Sequence, residues 1–435
     1  MDTKDESLNK YIINIVLLFF FGVVFSLYLF YSPETWKYKG FGNVLVTLML
    51  GYLVFTFIRT VVYLVFSFLN FIYVKRITRP KNHPLISIIV PGYNEEKVIS
   101  TAIKSLIQMD YPNFEILVVD DGSKDDMFLV AKEYEDDRRV RVIKKINGGK
   151  SSALNRGISE ALGEFVLCMD ADSKLDKGVL FKAMAFFEAD PKLAALAGNV
   201  VVGNGKNLLT KFQKLEYVTG LNFYKSAQSY LGIVNIVPGP IGVFRKSVLH
   251  KIGGYKEDSF AEDCDLTMRI LFNGYSVRYC PELYAVTEAP EEFQELVKQR
   301  YRWSRGVLQA INLQISTVFS EKFSIRNLLI LGVAYIESVI IPILNFLFAI
   351  STLFYALMFD STQLMGSYFV GLTLLDVSLA AYSVYTEKHV ASLVLLSVVN
   401  RLSFGLSMEV VRFFAMLDEL LKVPMTWGTL IRKGL

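Results

Sequence analysis

The chain has 435 residues, of which 52% are hydrophobic and only 20% are charged, and its formal net charge is +4. This composition is too apolar for an ordinary soluble enzyme, and the small positive charge is not typical of a nucleic-acid-binding protein. The three cysteines, Cys168, Cys264 and Cys280, have no C-x-x-C spacing, which is typical of reduced thiols in the cytosol. The histidines lie far apart in sequence. If the chain is an enzyme, we expect carboxylates to carry its chemistry.

The N-terminal part contains two apolar segments. Residues 12–31 carry no charge, and at about 1.5 Å per residue they are long enough to span a bilayer core. No small-residue cleavage site follows, which favours a membrane span over a signal peptide. Residues 42–74 are apolar except for Arg59, and we expect this longer span to bend or to protrude. The basic cluster at 75–81 then marks the cytosolic side, so the N-terminus is also expected in the cytosol.

Three further apolar segments, residues 327–358, 365–385 and 389–417, follow near the C-terminus. Polar residues or proline interrupt each of them, at Glu337, Pro342, Asp376, Asn400 and Arg401. Charged groups in a membrane are costly and usually face a protein interior or a watery path, although they can also simply hold helices together. Five spans would put the basic C-terminal tail outside the cell. We therefore expect either that residues 389–417 do not make a single crossing of the membrane or that another segment lies at the interface.

Residues 77–325 have the pattern of one α/β domain. Short apolar, β-branched runs alternate with segments of helical periodicity, which predicts a doubly wound sheet. The predicted strands are 85–90, 114–120, 140–145 and 164–169, and the predicted helices are 95–109 and 151–162, with Ser151 or Ser152 as the N-cap of the second. Ligands bind such sheets outside the carboxyl ends of the strands, which makes the residues after each strand the candidates for function.

Each of these strands is followed by a polar motif: "PGYNEE", "DDGS", "NGGK" and "DAD" in chain order. One acidic strand end is often a turn or a helix cap, but four that converge on one edge indicate a binding site. The run "GGKSS" is not a P-loop, because the spacing requires glycine where Lys144 stands. Lys150 more plausibly offers a point charge to a phosphate.

Two groups of carboxylates indicate catalysis. Asp170 and Asp172, separated by one residue at a strand end, can hold a hard cation such as Mg²⁺ or Mn²⁺, which stabilises a departing diphosphate. The run "AEDCD" at 261–265 offers a general base that takes a proton from an attacking hydroxyl. The alternative is a helix start, since acidic residues favour the first turn. The Gly/Pro-rich loop "VPGPIGVF" before it could shape a binding site.

The pentapeptide "QRYRW", residues 299–303, combines fixed positive charge with a stacking surface. Trp303 can stack on a sugar ring, and Arg302 and Gln299 can hold a diphosphate. The alternative is that Trp and Arg anchor a helix at the membrane interface. In the following segment, 306–323, an apolar stripe predicts a helix that lies on the membrane surface; it consists of Val307, Leu308, Ile311, Ile315 and Phe319.

In this order the motifs resemble those of the membrane-embedded family 2 glycosyltransferases, such as the cellulose, chitin, hyaluronan and poly-N-acetylglucosamine synthases. The resemblance covers residues 80–320 and includes "GN" at 198–199 and "AED" at 261–263 besides the motifs above. It implies a cytosolic nucleotide-diphospho-sugar transferase domain of the GT-A type, inserted between N- and C-terminal transmembrane helices. The domains are then expected at 1–76, 77–325 (ending in an amphipathic interface helix) and 326–435.

The resemblance also implies roles for single residues. Those that bind the donor nucleotide or its diphosphate are Tyr93, Glu95, one or both of Asp120 and Asp121, Lys150, Asp170, Gln299 and Arg302. Asp172, with Asp170, is expected to bind Mn²⁺ or Mg²⁺. Asp263, beside Glu262, is expected to be the general base, and Trp303 to bind the acceptor sugar. Ala261 departs from the family, which usually has Thr there, so the fine positioning of the base is in question.

The function expected from this resemblance is inverting, metal-dependent transfer from a UDP-sugar to a growing β-linked polysaccharide, which passes through the membrane helices. UDP-N-acetylglucosamine is favoured as the donor, with UDP-glucose as the alternative. Transfer of one sugar to a lipid acceptor is the second hypothesis, and a non-catalytic membrane scaffold is the third. The expected location is the plasma membrane, where lipids are partners and accessory subunits are not readable from the sequence.

Overall fold

The computed structural model describes residues 40–205, 207–257, 259–320, 323–359, 362–387 and 389–424, together with residues 21, 22, 24, 25, 28 and 29. Most of the predicted first span, residues 12–31, and the basic C-terminal tail lie outside the described residues.

The region between the apolar segments is built on an eight-stranded mixed sheet with the order β3-β2-β1-β4-β7-β6-β8-β5. Its strands are β1 (Ile86–Gly92), β2 (Phe114–Asp120), β3 (Val140–Lys144), β4 (Phe165–Cys168), β5 (Lys174–Leu175), β6 (Leu193–Val202), β7 (Gly242–Arg245) and β8 (Ser276–Thr287). The four predicted strands are confirmed within two residues at each end. They pair parallel with one another, and β6 also pairs parallel with β8, whereas β7 pairs antiparallel with both β4 and β6. The prediction of a doubly wound sheet therefore holds for only half of the strands.

The described helices include those that cover both faces of the sheet and those of the apolar segments. They are α1 (Phe41–Arg76), α2 (Glu96–Ile107), α3 (Met127–Lys132), α4 (Lys150–Glu160), α5 (Val179–Ala189), α6 (Leu208–Glu216), α7 (Phe223–Tyr230), α8 (Lys246–Ile252), α9 (Glu262–Phe272), α10 (Phe293–Ser320), α11 (Ile325–Tyr335), α12 (Ile341–Phe359), α13 (Thr362–Thr386), α14 (Ser392–Asn400) and α15 (Leu406–Leu420). Successive residues of a strand point to opposite faces. Ile88 and Val90 accordingly pack with α2, α3 and α5, and Ile89 packs with α4, α9 and α10.

Helix α10 differs from its prediction in two respects. It begins at Phe293, so "QRYRW" lies inside the helix rather than before it. The apolar stripe also packs largely against protein, since Leu308 and Ile311 are buried and only Phe319 is exposed by more than half of its surface. The expectation that the stripe faces the membrane is wrong for Leu308 and Ile311, because Leu308 packs with Val339 and with Met416 of α15, and Ile311 packs with α9 and α11.

Four described helical segments are long and apolar enough to cross a membrane: one N-terminal, Phe41–Arg76, and three C-terminal, Ile325–Met358, Met365–Thr386 and Ser392–Leu420. The charges that interrupt them pair with one another. Arg59 Nη1 lies 2.7 Å from Glu337 Oε2, and Asp376 Oδ1 lies 2.8 Å from Arg401 Nη2. Each pair links two different apolar segments, which are distant in sequence only for Arg59 and Glu337, and lowers the cost of burying each charge.

Candidate active site

The loops that follow β1 and β2 are bound to each other. Asp121 donates its backbone N–H to the carbonyl of Gly92 at 2.9 Å. Asn94, which has a φ of +58°, accepts at its side chain from the backbone N–H of Lys124 and donates its own N–H to Ser123 Oγ. The first two motifs therefore form one surface, with Tyr93 partly exposed on it.

Asp120 and Asp121 are both buried but have different partners. Asp120 Oδ1 accepts from the backbone N–H of Ser123 at 3.0 Å, and no hydrogen bond to its buried Oδ2 is found within the described chain. Asp121 Oδ1 accepts from Lys145 Nζ at 2.6 Å and from the N–H of Gly148 at 3.0 Å, while its Oδ2 accepts from the N–H of Gly149 at 2.7 Å. Asp121 therefore shapes the third loop, and Asp120 retains a buried oxygen that accepts no hydrogen bond from the described residues.

The same loop sets where α4 begins. Gly149 has a φ of +86°, which residues with a side chain rarely adopt, and Lys150 is the first helical residue. The prediction of Ser151 or Ser152 as the N-cap was wrong, because Asp121 supplies acceptors to the turn from across the sheet edge. This turn directs Lys150 toward the residues that follow β4.

Lys150 lies between carboxylates from two parts of the domain. Its Nζ is 2.6 Å from Asp170 Oδ1 and 3.3 Å from Glu262 Oε1. Burial lowers the pKa of Lys150, but the charges of Asp170 and Glu262 outweigh that effect and hold the pKa above its usual range. The lack of a side chain at Gly239 leaves space for the pair of Lys150 and Asp170, since a Cβ there would lie 2.7 Å from Lys150 Nζ.

Asp263 lies in the first turn of α9, at the wall of the same cavity. The backbone N–H of Cys264 donates to its Oδ1 at 2.8 Å. Burial and the neighbouring charge of Glu262 raise the pKa of Asp263 to about 6, although Lys150 opposes the shift. A carboxylate with such a pKa is ionised at neutral pH and is a stronger base than an ordinary aspartate. The cavity is lined by four predicted site residues: Lys150, Asp170, Glu262 and Asp263.

The donor set after β4 suits a hard divalent cation. Asp172 is buried, and its Oδ1 accepts from the hydroxyls of Ser173 and Thr287 at 3.2 and 3.4 Å. Among the described residues no group of three or more His, Cys, Asp or Glu side chains could hold a metal by itself. Two carboxylates such as Asp170 and Asp172 fit a cation that takes its other ligands from water and a substrate diphosphate, as Mg²⁺ commonly does.

The "QRYRW" segment forms its own cluster on α10. Gln299 and Arg300 are buried, and Trp303 is partly buried with the Arg300 guanidinium 4.2 Å from its ring centroid. Arg300 Nη2 also lies 2.7 Å from Glu216 Oε2. Neither Arg300 nor Glu216 was among the predicted site residues. The spacing of Arg300 and Trp303 on a helix was the available signal, since residues three apart share a face.

Helix α10 packs directly against the start of α9. A Cβ placed on Gly306 would lie 2.7 Å from the Cβ of Ala261, so the two helices touch where α9 begins. Gln314 Nε2 donates to Asp265 Oδ1 at 3.2 Å further along the contact. Trp303 and the residues near β1 and β2 do not line the cavity around Lys150, but this packing ties the two helices that carry Trp303 and Asp263 together.

A mixed α/β sheet whose strand ends carry these motifs, flanked by apolar helices, defines a membrane-associated glycosyltransferase with a GT-A-like fold. Residues 87–253 match the family described as glycosyl transferase family 2. The chain is 30% identical over 325 residues to a poly-beta-1,6-N-acetyl-D-glucosamine synthase of Staphylococcus epidermidis, which covers 72% of this chain and 78% of that one. It is 32% identical over 222 residues to the synthase of the same name from Staphylococcus aureus strain COL, covering 51% of this chain and 54% of that one.

The fold has a solved counterpart as well. A mannosyltransferase from Pyrobaculum calidifontis, solved in complex with GDP-Man and Mn2+, aligns with a TM-score of 0.58 and 20% identity, over 87% of this chain and all of that one. The chain belongs to glycosyl transferase family 2 and is homologous to poly-N-acetylglucosamine synthases. The expectations of a GT-A-like fold and of a family 2 enzyme are confirmed.

Proposed function

We propose that the protein is a processive, inverting, metal-dependent β-glycosyltransferase that moves N-acetylglucosamine from UDP-N-acetylglucosamine to a growing polysaccharide. The choice of sugar is supported by the similarity to synthases whose names specify poly-β-1,6-N-acetylglucosamine. The observation that carries the reaction is the grouping of Lys150, Asp170 and Glu262 beside Asp263, whose pKa is raised to about 6.

The donor nucleotide is proposed to lie on the surface formed by the first two loops. Tyr93 offers a partly exposed ring, Asp120 Oδ2 can accept the imide N–H of a uracil ring, and Glu95 lies in the same loop as Tyr93. Asp121 supports this surface indirectly through the turn at Gly148 and Gly149. The diphosphate then extends toward Lys150, whose ammonium can balance its charge.

Asp170 and Asp172 are the residues proposed to hold Mg²⁺ or Mn²⁺. Bound there, the cation would stabilise the negative charge that develops on the UDP leaving group. Asp263 takes the proton from the acceptor hydroxyl, whose oxygen attacks the anomeric carbon as the bond to UDP breaks. Glu262 tunes this base, since its negative charge raises the pKa of Asp263.

The acceptor is proposed to bind at α10, where Trp303 stacks on the terminal sugar and Gln299 and Arg302 contact the diphosphate. The apolar helices around the catalytic domain favour an integral membrane protein. We propose that the catalytic domain faces the cytosol at the plasma membrane and that the polymer passes between the membrane helices. The basic residues Lys75 and Arg76 at the end of α1 support this orientation.

The test is UDP release by the purified full-length enzyme in nanodiscs, with a panel of UDP-sugars and with Mg²⁺ or Mn²⁺, while the products are sized in the same reaction. Release with UDP-N-acetylglucosamine and a ladder of long products is the expected result. Release accompanied only by a single-sugar lipid would replace the polysaccharide acceptor with a lipid. No release with any donor would overturn the proposal.

A further inference from the structure

The strongest unassigned feature is the buried ion pair of Arg300 and Glu216. Arg300 Nε lies 3.2 Å from both carboxylate oxygens of Glu216, and Nη2 lies 2.7 Å from Oε2. Arg300 is 3% exposed, so this fork is removed from water. Burying such an ion pair costs free energy. Removing one partner leaves the other as an uncompensated buried charge, which destabilises the fold.

The remaining surfaces of the Arg300 guanidinium touch two members of the Q-x-x-R-W motif. Its Nη1 donates to Gln299 Oε1, and its flat face lies over the ring of Trp303, with 4.2 Å from Cζ to the ring centroid. The ring of Tyr217 is near both groups, with its centroid 6.4 Å from that of Trp303 and 5.7 Å from Arg300 Cζ. Arg300 thus contacts both side chains without being one of the motif's named positions.

These contacts fix the orientation of both side chains. A guanidinium donates hydrogen bonds and cannot accept them, so Gln299 must turn its carbonyl oxygen toward Arg300 and its NH₂ group away from it. Arg300 lies over one face of the Trp303 ring, so a sugar that stacks on this ring would lie on the opposite face.

The carboxylate of Glu216 connects this arrangement to a membrane helix. Its Oε1 is also 3.4 Å from Arg412 Nη2, and Arg412 Nη1 lies 2.9 Å from Glu409 Oε1, both on α15. Helix α15 belongs to the third C-terminal candidate span, Ser392–Leu420. Glu216 therefore bridges the helix that carries Trp303 and a helix that enters the membrane.

We propose that Arg300, held by Glu216, is a positioning residue for acceptor binding. It fixes the orientation of the Trp303 ring and of the Gln299 amide. The contact of Glu216 with Arg412 connects these side chains to helix α15. The inference rests on the proposed function for the identity of the acceptor. The side-chain positioning itself is independent of which sugar is transferred.

Arg300→Lys and Glu216→Gln are the primary variants. Lys keeps the charge of Arg300 but lacks its planar fork, so we expect the KM for an N-acetylglucosamine oligosaccharide acceptor to rise about tenfold and the products to shorten. UDP release without added acceptor should change much less than the acceptor KM, because Gln299 is only one of the proposed contacts to the diphosphate, whereas Trp303 is the proposed acceptor surface. Equal losses in both assays would overturn the proposal.

Arg305→Lys is a matched control on the same helix. Arg305 is also buried, is paired at 2.9 Å with Glu419 and lies 5.7 Å from the ring centroid of Tyr301. We expect this variant to have a lower melting temperature. Its acceptor KM should change no more than its rate of UDP release without acceptor. An identical change in acceptor KM in both lysine variants would show a general packing effect and overturn the proposal.

A spectroscopic arm separates this proposal from the proposed function. The chain has three tryptophans, so Trp36→Phe with Trp427→Phe leaves Trp303 as the only one. In that background Arg300→Lys should increase acrylamide quenching of Trp303, and Arg412→Gln should change quenching in the same direction. Unchanged quenching in Arg300→Lys overturns the positioning role, and unchanged quenching in Arg412→Gln overturns the link to α15. These readouts hold even if the wild type transfers no sugar to the tested acceptor.

Discussion

Gly306 lies against Ala261, so that a Cβ on the glycine would be 2.7 Å from the Cβ of the alanine and 3.1 Å from its backbone nitrogen. This contact joins the helix of the "QRYRW" segment to the helix that begins at Glu262. It also accounts for Ala261 in physical terms, since a larger side chain there would meet the backbone of α10.

Gly306→Ala should therefore force α10 and α9 apart. We expect a loss of about 1–3 kcal/mol in the free energy of unfolding, with a lower kcat, because the clash involves backbone atoms that cannot rotate away. Thermal melting and UDP release in the same detergent would check this. Gly332→Ala, where a Cβ would meet nothing within 4 Å, is the matched control and should lower neither value.

Asp120 and Asp121 are adjacent carboxylates for which the structure predicts different phenotypes. Asp121→Asn removes the charge that accepts from Lys145, Gly148 and Gly149, so we expect a lower melting temperature. Asp120→Asn should preserve the fold but raise the KM for the UDP-sugar about tenfold, because its amide can present a donor where an acceptor is needed. A reversed pattern, with Asp121→Asn stable and defective only in donor binding, would contradict this assignment.

The pH dependence follows from the raised pKa of Asp263. The base must be ionised to accept a proton, so kcat/KM should fall about tenfold per pH unit as the pH drops below about 6. Glu262→Gln removes a negative charge that raises this pKa, so the acid limb should move to lower pH. Lys150→Gln removes a positive charge that lowers it, so the limb should move to higher pH. Shifts in the opposite directions would contradict the electrostatic account.

Metal removal tests the pair after β4. We expect EDTA to abolish sugar transfer and Mg²⁺ or Mn²⁺ to restore it. Asp172→Asn should raise the metal concentration needed for half-maximal activity by about tenfold, since an amide oxygen is a weaker ligand than a carboxylate. Asp176→Asn alters an exposed carboxylate nearby and is the control. An unchanged metal requirement in Asp172→Asn would exclude Asp172 as a ligand.

The parts of this structure that could be predicted from sequence are those encoded locally. Apolar β-branched runs predicted β1, β2, β3 and β4, and the parallel strand ends predicted that the polar motifs after them, which include Lys150 and Asp170, would converge on one edge of the sheet. The antiparallel placement of β7 between β4 and β6 could not be predicted, because it depends on pairing between distant segments.

Long-range side-chain pairing was also beyond the sequence. Arg300 and Glu216 are 84 positions apart, and nothing in the local pattern of either residue indicates the other. The stripe on α10 predicted an apolar face correctly but not its partner, since periodicity does not distinguish a membrane from a neighbouring helix. The hydrogen bonds of Asp121 could not be predicted either, because the N–H groups that it accepts from, those of Gly148 and Gly149, lie in the loop after β3.

Asp263 is proposed to remove the proton from the acceptor hydroxyl, and the rate of UDP release by Asp263→Asn tests this role. Because the folded-state pKa of Asp263 is raised, its ionised form destabilises the folded protein above the unfolded-state pKa. The melting temperature of Asp263→Asn should therefore equal or exceed that of the wild type at pH 7.5. The gain in melting temperature should shrink as the pH falls below about 6. We predict that this folded variant releases UDP at least about 10²-fold more slowly than the wild type when acceptor and metal are present. Turnover at the wild-type rate would contradict the account.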